Sequence, residues 1–273
     1  MMQKNILNEI ADKTRIRINA EKEDKSLEQL KEAVLKMLSH KEGTLEDGHG
    51  RFYQALGKRG MSFICEVKKA SPSKGLIAED FPYQQIAKDY EAAGAAAISC
   101  LTEPDYFKGS NKYLNDISQI VDLPVLKKDF TIDPYMIYQA AYYGASAVLL
   151  ICAILSDDEL CDFRELAESL GLDALVEAHD EDEVRRAINS GARIIGVNNR
   201  DLRTFEVDLN NSIRLRGLVP PEILFVSESG IKNADDIKDL YDNGVDAVLI
   251  GETLMRSADK GQMLRDLQKG IQR

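Results

Sequence analysis

The sequence predicts an α/β protein, an eight-stranded parallel (β/α)8 or TIM barrel with a helical extension ahead of it. Three observations carry that expectation. Four segments, AGAAAISCL, YGASAVLLI, SGARIIGVN and NGVDAVLIG, each place a glycine at a helix end and then a short apolar strand. Their glycines, Gly94, Gly144, Gly191 and Gly244, fall 50, 47 and 53 residues apart, with further strand-like runs between. Those runs are Ser62–Val67, Leu123–Leu126, Leu172–Val176 and Glu222–Val226. The spacers, such as DEDEVRRAINSG and NADDIKDLYDNG, carry helical apolar periodicity with Asp or Asn near the start and Gly past the end. A unit of half that period gives eight βα units in the roughly 210 residues from Ser62 onward. Such alternation means parallel strands and right-handed crossovers, and so even a period favours closure over an open doubly wound sheet.

Ahead of the first strand, residues 1–58 read as helices, with Ile6, Ile10, Leu27, Leu30, Val34, Leu35 and Leu38 at three- and four-residue spacings. Ser26 is the expected N-cap of the second helix, 41–50 a linker, and Phe52–Leu56 a short third helix. This extension has no core of its own. We expect it to cover the catalytic end of the barrel, and residues 1–273 to form a single domain. At 273 residues and 44% hydrophobic content the chain can bury one large core.

The first strand holds two charges that need an explanation. Ile64, Glu66 and Lys68 share a face at a strand's period of two, and opposite charges on a buried face cost free energy unless paired or used. The third strand, LPVLKKDF, puts Lys128 with Leu126 on one face and Lys127 on the other. The fifth, GLDALVEAHD, pairs Leu175 with Glu177. The sixth gives Gly196, Asn198 and Arg200 one parity, and the seventh sets Leu224, Val226 and Glu228 together. Six charges and an asparagine then line the strands' C-terminal mouth, where barrels of this kind carry their sites.

A second signal follows the last two strands. SESG and IGET present Ser229, Gly230, Gly251 and Thr253 where phosphate-binding barrels use backbone N–H groups and a short helix to hold a phosphate. The residues therefore point to an enzyme acting on a phosphorylated, doubly anionic small molecule. Two lysines and two glutamates supply general acid and base without a metal. One lysine beside another in a closed mouth is expected to have its charged form disfavoured.

Composition narrows the class further. Lys and Arg number 35 against 46 Asp and Glu, a net charge of −11, which argues against nucleic acid or an anionic membrane as partner. An anionic substrate then requires a site that is locally positive. Cys65, Cys100, Cys152 and Cys161 form no CxxC pair and no metal-type spacing with the three histidines, so free thiols are expected. The first residues lack a signal-peptide core and no apolar run is long enough to span a bilayer, so a cytoplasmic protein is expected.

The motifs EVKKASPSKG, LPVLKKDF, GLDALVEAHD, GVNNRDLRTFEVDL, VSESGI and DAVLIGETLM resemble those of the indole-3-glycerol phosphate synthase family of tryptophan biosynthesis. The resemblance extends to the N-terminal helices, FYQAL and YFKGS, and so covers nearly the whole chain. It implies closure of 1-(2-carboxyphenylamino)-1-deoxyribulose 5-phosphate to indole-3-glycerol phosphate, with loss of CO2 and water and no cofactor. By similarity, Lys128 is the acid for ring closure, Glu177 acts in the dehydration, Lys68 holds the substrate, and Glu66 orients the lysines. Asn198 and Arg200 would position the anthranilate end and its carboxylate, while Glu228 and Ser229 line the site. Ser71, Gly230 and the Gly251–Glu252–Thr253 loop would complete the contacts to substrate and phosphate. Cys65 stands where a small residue such as Ala is common, and Thr253 where Ser is usual. A monofunctional, monomeric enzyme is expected.

Three rivals remain open on the residues. Sugar-phosphate isomerases and epimerases share such a barrel and phosphate loop, and a Schiff-base aldolase would use a barrel lysine. A barrel kept only as a scaffold would lack an acid or a base, and none is missing here.

Overall fold

β1 (Ser62–Val67) is buried along its whole length, including Glu66, because both of its faces are covered. Parallel strands packed on two sides read as continuous apolar runs for this reason. In the computed structural model, which describes residues 6–39, 50–201 and 204–271, seven more parallel strands close a ring with β1. They are β4 (Ala97–Leu101), β5 (Val125–Lys128), β6 (Ala147–Ile151), β7 (Asp173–Ala178), β8 (Ile194–Asn198), β9 (Leu224–Glu228) and β10 (Ala247–Ile250). Each pairs with its sequence neighbour and β10 pairs back onto β1, with Ser62 opposite Ala247. β2 (Ala70–Ser71) and β3 (Gly75–Leu76) form a small antiparallel ribbon outside the ring.

The expected runs at 123–126 and 222–226 begin two residues before the observed strands and end two residues early. Apolarity marks only the central part of each strand; Lys127–Lys128 and Ser227–Glu228 continue the ladder as its polar mouth end. Face parity follows the period of two. Ile64, Leu126, Leu175 and Val226 fill the barrel interior with Ala97, Ala147, Leu149, Ile194, Ala247 and Leu249. Phe63, Cys65, Val67, Ile98, Cys100, Val176 and Val248 face the surrounding helices.

Those helices are α4 (Tyr83–Ala92), α5 (Asn111–Ser118), α6 (Pro134–Tyr142), α7 (Asp157–Ser169), α8 (Glu181–Asn189), α9 (Asn210–Arg216), α10 (Ala234–Asp242), the short α11 (Glu252–Arg256) and α12 (Lys260–Gln268). The four repeat glycines, Gly94, Gly144, Gly191 and Gly244, have φ of 87°, 82°, 80° and 78°. They end their helices in the left-handed conformation that glycine adopts without strain. Cys65, Cys100 and Cys152 are buried, and all four thiols are free.

The extension divides between both ends and one flank of the barrel. α1 (Ile6–Asp24) roofs the catalytic mouth, packing Leu7 and Ile10 on the interior cluster. Ion pairs hold it there, Arg17 Nη2 to Asp129 Oδ1 at 2.9 Å and Lys22 Nζ to Asp133 Oδ2 at 2.6 Å. α2 (Leu27–Ser39) packs against α6, and Ser26 caps it, its Oγ accepting from Gln29 N while its own N–H donates to Gln29 Oε1. α3 (Arg51–Leu56) closes the opposite end with fully buried Phe52 and Leu56. There Asp173, at the start of β7, accepts from Gly50 N at 3.2 Å and Tyr53 N at 2.9 Å, satisfying first-turn donors that a helix cannot satisfy itself. The expectation that all of 1–58 covers the mouth is therefore corrected: among the described residues of the extension, only those of α1 do. The predicted linker, apart from Gly50, lies outside the described residues.

Candidate active site

A cavity of about 440 Å³ opens at the C-terminal mouth, and every residue singled out from the sequence lines it: Glu66, Lys68, Ser71, Lys128, Glu177, Asn198, Arg200, Glu228, Ser229, Gly230, Gly251, Glu252 and Thr253. Six cationic and five acidic side chains line it, reversing the acidic excess of the whole chain. The site is locally positive, as an anionic substrate requires.

Two ion-paired groups dominate the floor. Lys68 pairs with Glu66, two residues earlier on the same face. Gly251 makes room for that pair: a Cβ there would overlap the Glu66 carboxylate and sit 2.9 Å from Lys68 Nζ. Lys128 Nζ lies 2.9 Å from Glu177 Oε2 and 2.6 Å from Glu228 Oε2. Burial disfavours the Lys128 ammonium, but Glu177, Glu228 and Glu66 outweigh it and raise its pKa well above that of an ordinary lysine. The expected lysine with a disfavoured charge is thus corrected. The mouth supplies more carboxylates than the lysine pair needs, and each ammonium sits among them.

The two carboxylates on Lys128 are driven apart. Burial raises the pKa of Glu177, yet Lys128 and His179 bring it below the usual value, and Asn198 Nδ2 donates to its Oε1 at 3.3 Å. Glu228 is pushed up to about 7, by burial first, with Lys128 opposing and the Glu177 charge adding. Its Oε1 is buried without a hydrogen-bond partner, in space left by Gly196, where a Cβ would overlap it. One acid and one base within reach of a single ammonium is an arrangement suited to proton transfer at neutral pH.

The end of the mouth expected to hold the phosphate is built from the turns after β9 and β10. Ser229 and Gly230 turn the chain with φ of 68° and 94°. The Thr253 hydroxyl donates to Ile231 O at 2.5 Å, tying the β9–α10 and β10–α11 loops together. The Glu252 carboxylate is engaged by Arg256 Nε at 3.1 Å and Lys74 Nζ at 3.5 Å, with Arg200 Nη2 at 3.9 Å. Asn198 Oδ1 accepts from Arg200 N, which fixes the turn that carries the guanidinium into the mouth.

Several lining residues carried no signal in the residue pattern. Phe107 and Phe130, with ring centroids 6.1 Å apart, form an apolar wall with Ile10, Leu149 and Ile151. They sit in loops without periodicity, although YFKGS and KKDF contain them. Lys74 and Arg256 were missed because they lie outside the strands. Lys127 points away from the mouth as parity requires, but it is buried and pairs with Asp129 at 3.0 Å. Asp129 also binds Arg17 of α1 and the Thr102 hydroxyl, so the far face of β5 anchors the roof.

The family model for indole-3-glycerol phosphate synthase matches residues 7–267. The chain belongs to that family. Proteins named indole-3-glycerol phosphate synthase are similar along its length. That of Ruminiclostridium cellulolyticum is 56% identical, covering 96% of this chain and 98% of its own. That of Endomicrobium trichonymphae is 54% identical, covering 96% and 99%. The activity is accordingly that of this synthase family, a decarboxylating lyase of tryptophan biosynthesis that acts on a phosphorylated small molecule. Among solved structures, the tryptophan synthase alpha subunit of Legionella pneumophila superposes with a TM-score of 0.60 at 12% identity, over 81% of this chain and 98% of that one. Thiamine phosphate pyrophosphorylase from Pyrococcus furiosus gives 0.59 at 17%, over 80% and 96%. Both share the barrel fold. Among the described residues no cluster of His, Cys, Asp or Glu could hold a metal ion, and no helix is long and apolar enough to cross a membrane.

Proposed function

We propose that Lys128 is the acid for ring closure and Glu177 the group that acts in the dehydration. The observation that carries this reading is the Lys128 ammonium suspended between Glu177 and Glu228 beside an apolar wall. The anthranilate ring rests on Phe107 and Phe130 with its carboxylate toward Asn198 and Arg200. The ring carbon bearing that carboxylate attacks the C2 carbonyl, whose oxygen takes a proton from Lys128. CO2 leaves and its bonding electrons restore aromaticity. The new hydroxyl departs as water with a second proton, while one proton leaves the adjacent CH2. Two protons enter and one returns, so each turnover takes up one proton.

Lys68, oriented by Glu66, holds the substrate. The phosphate is bound by backbone N–H groups at Gly230 and at Gly251–Thr253, with Ser71 alongside. The Thr253 hydroxyl and Glu252 carboxylate are committed elsewhere, so those residues contribute backbone. An ammonium held among carboxylates favours this reading over a Schiff-base aldolase, whose nucleophile must be a neutral amine. The protein works as a monomeric, single-domain cytoplasmic enzyme without a cofactor. Supplying the carboxyphenylamino-deoxyribulose phosphate should produce indole fluorescence, with inorganic phosphate competing at constant ionic strength. Absence of indole from well-folded protein defeats the functional reading; an unchanged KM in phosphate defeats the loop assignment.

A further inference from the structure

His179, the residue immediately after β7, has no place in the chemistry described above. Its ring is nonetheless clamped at one nitrogen and aimed toward the site with the other. Nδ1 lies 3.0 Å from Glu183 Oε2, and the same oxygen accepts from the His179 backbone N–H at 2.8 Å, so α8 clamps ring and backbone together. Asn211 of α9 donates to the His179 carbonyl at 3.0 Å. The other nitrogen, Nε2, is buried without a hydrogen-bond partner and faces Glu177 Oε1 at 3.5 Å. A ring held this firmly, with one nitrogen aimed at a site carboxylate, is placed to exchange a proton with it.

The ring also borders a second cavity, of about 740 Å³, on the α8–α9 side. That cavity shares Leu7, Asn198, Arg200 and Val207 with the catalytic mouth. The reaction needs such a neighbour: each turnover takes up one proton, while α1 and the bound substrate cover the mouth itself.

We propose that His179 is a positioning residue that relays a proton from the second cavity to Glu177. This rests on the dehydration assignment of Glu177. Glu183 holds the Nδ1 proton, so the proton that moves is the one on Nε2. It passes to Glu177 Oε1, leaving a neutral ring whose buried Nε2 regains a proton from water of the second cavity when the ring turns toward it. No oxidant or further reactant is required, and the imidazolium is restored once per cycle.

The groups facing the ring are Glu177 from β7, Glu183 from α8 and Glu228 from β9, while Asp180, Arg200, Asp201, Glu206 and Asp208 border the cavity. Burial lowers the His179 pKa, but Glu183 and Glu177 raise it above the ordinary histidine value. The charged ring is therefore favoured beyond that of an ordinary histidine, and it surrenders its proton as pH rises through the raised value. Turnover should then have an alkaline limb belonging to His179.

The test is steady-state kinetics of the full chain from about pH 6 to about pH 9. His179→Gln should lower kcat on the order of 10²-fold with KM nearly unchanged, and the alkaline limb should disappear. Free imidazole should restore turnover in proportion to its concentration. A kcat within twofold of the parent overturns the relay, and so does a folded variant whose loss ignores imidazole. Should His179→Gln not fold, Glu183→Gln keeps the acceptor but removes the charge. It should move the alkaline limb to lower pH, and an unmoved limb overturns the proposal. Glu177→Gln separates the relay from the role of Glu177 itself. Full turnover there overturns the assignment of Glu177 and the relay with it; lost turnover there, with parent-like His179 variants, overturns the relay alone.

Discussion

Lys127 and Lys128 are adjacent in sequence and opposite in circumstance. Lys128 faces the mouth, and removing it takes away the proposed ring-closure acid while leaving Glu177 and Glu228 without the ammonium between them. Lys128→Ala should cost roughly 10²–10⁴-fold in kcat. Its stability should fall as pH rises through the range in which Glu228 gives up its proton, and thermal melts paired with kinetics check both. Turnover within a few-fold of the parent would remove Lys128 from the mechanism. Lys127→Ala should do the reverse. Parity alone suggests a harmless control, but its outward face is roofed by helices, and Asp129 would lose a buried partner. Breaking such a pair costs roughly 3–5 kcal/mol, readable by denaturant titration, with turnover of the folded fraction largely kept.

At the scale of elements, the two ends of the barrel carry different N-terminal helices and should respond differently to loss. A chain beginning within residues 40–49 lacks α1 and α2 but keeps α3. It should remain a folded barrel with a sharply raised KM or lowered kcat, because Leu7, Ile10 and Arg17 leave the mouth. Parent kinetics with only a lower melting temperature would assign α1 to stability. Asp173→Ala acts at the opposite end. Stripping the acceptor from Gly50 and Tyr53 should cost about 1.5–3 kcal/mol with kcat and KM unchanged.

The strand elements were legible because a period of two in short apolar runs has few readings. Glu66, Lys68, Lys128, Glu177, Asn198, Arg200 and Glu228 followed from it. The division of the extension did not follow, since a helical stripe says that one face is buried without saying against what. Phe107, Phe130 and His179 escaped for a related reason: turn and loop residues take their direction from the chain's path rather than from a period. Lys127 shows the limit of parity, which gives the side of the sheet but not its exposure.

For the molecule as a whole, the site is held against the pH preference of its own carboxylates. Glu228 has a folded pKa of about 7 against an ordinary 4.5, so between those values the folded state binds the proton more tightly than the unfolded chain. Its favourable contribution is complete below about pH 4.5 and is lost as pH rises through 7. Glu228→Gln should therefore melt above the parent at pH 8, with the gap closing toward pH 5, and should turn over more slowly throughout. An equal or lower melting temperature at pH 8 would mean that Lys128 repays the burial of that charge in full.

The plug at the lower end also sets an order of assembly. α3 takes its N-terminal acceptor from Asp173, more than a hundred residues downstream, and Ser62 Oγ donates to the carbonyls of Ala55 and Leu56. A chain emerging from the ribosome presents α3 early, yet it cannot seat the helix until β7 exists, and the ring cannot shut until β10 reaches β1. Contacts so distant along the chain make folding slow and late. During synthesis Phe52 and Leu56 are apolar side chains awaiting partners that the ribosome has yet to deliver.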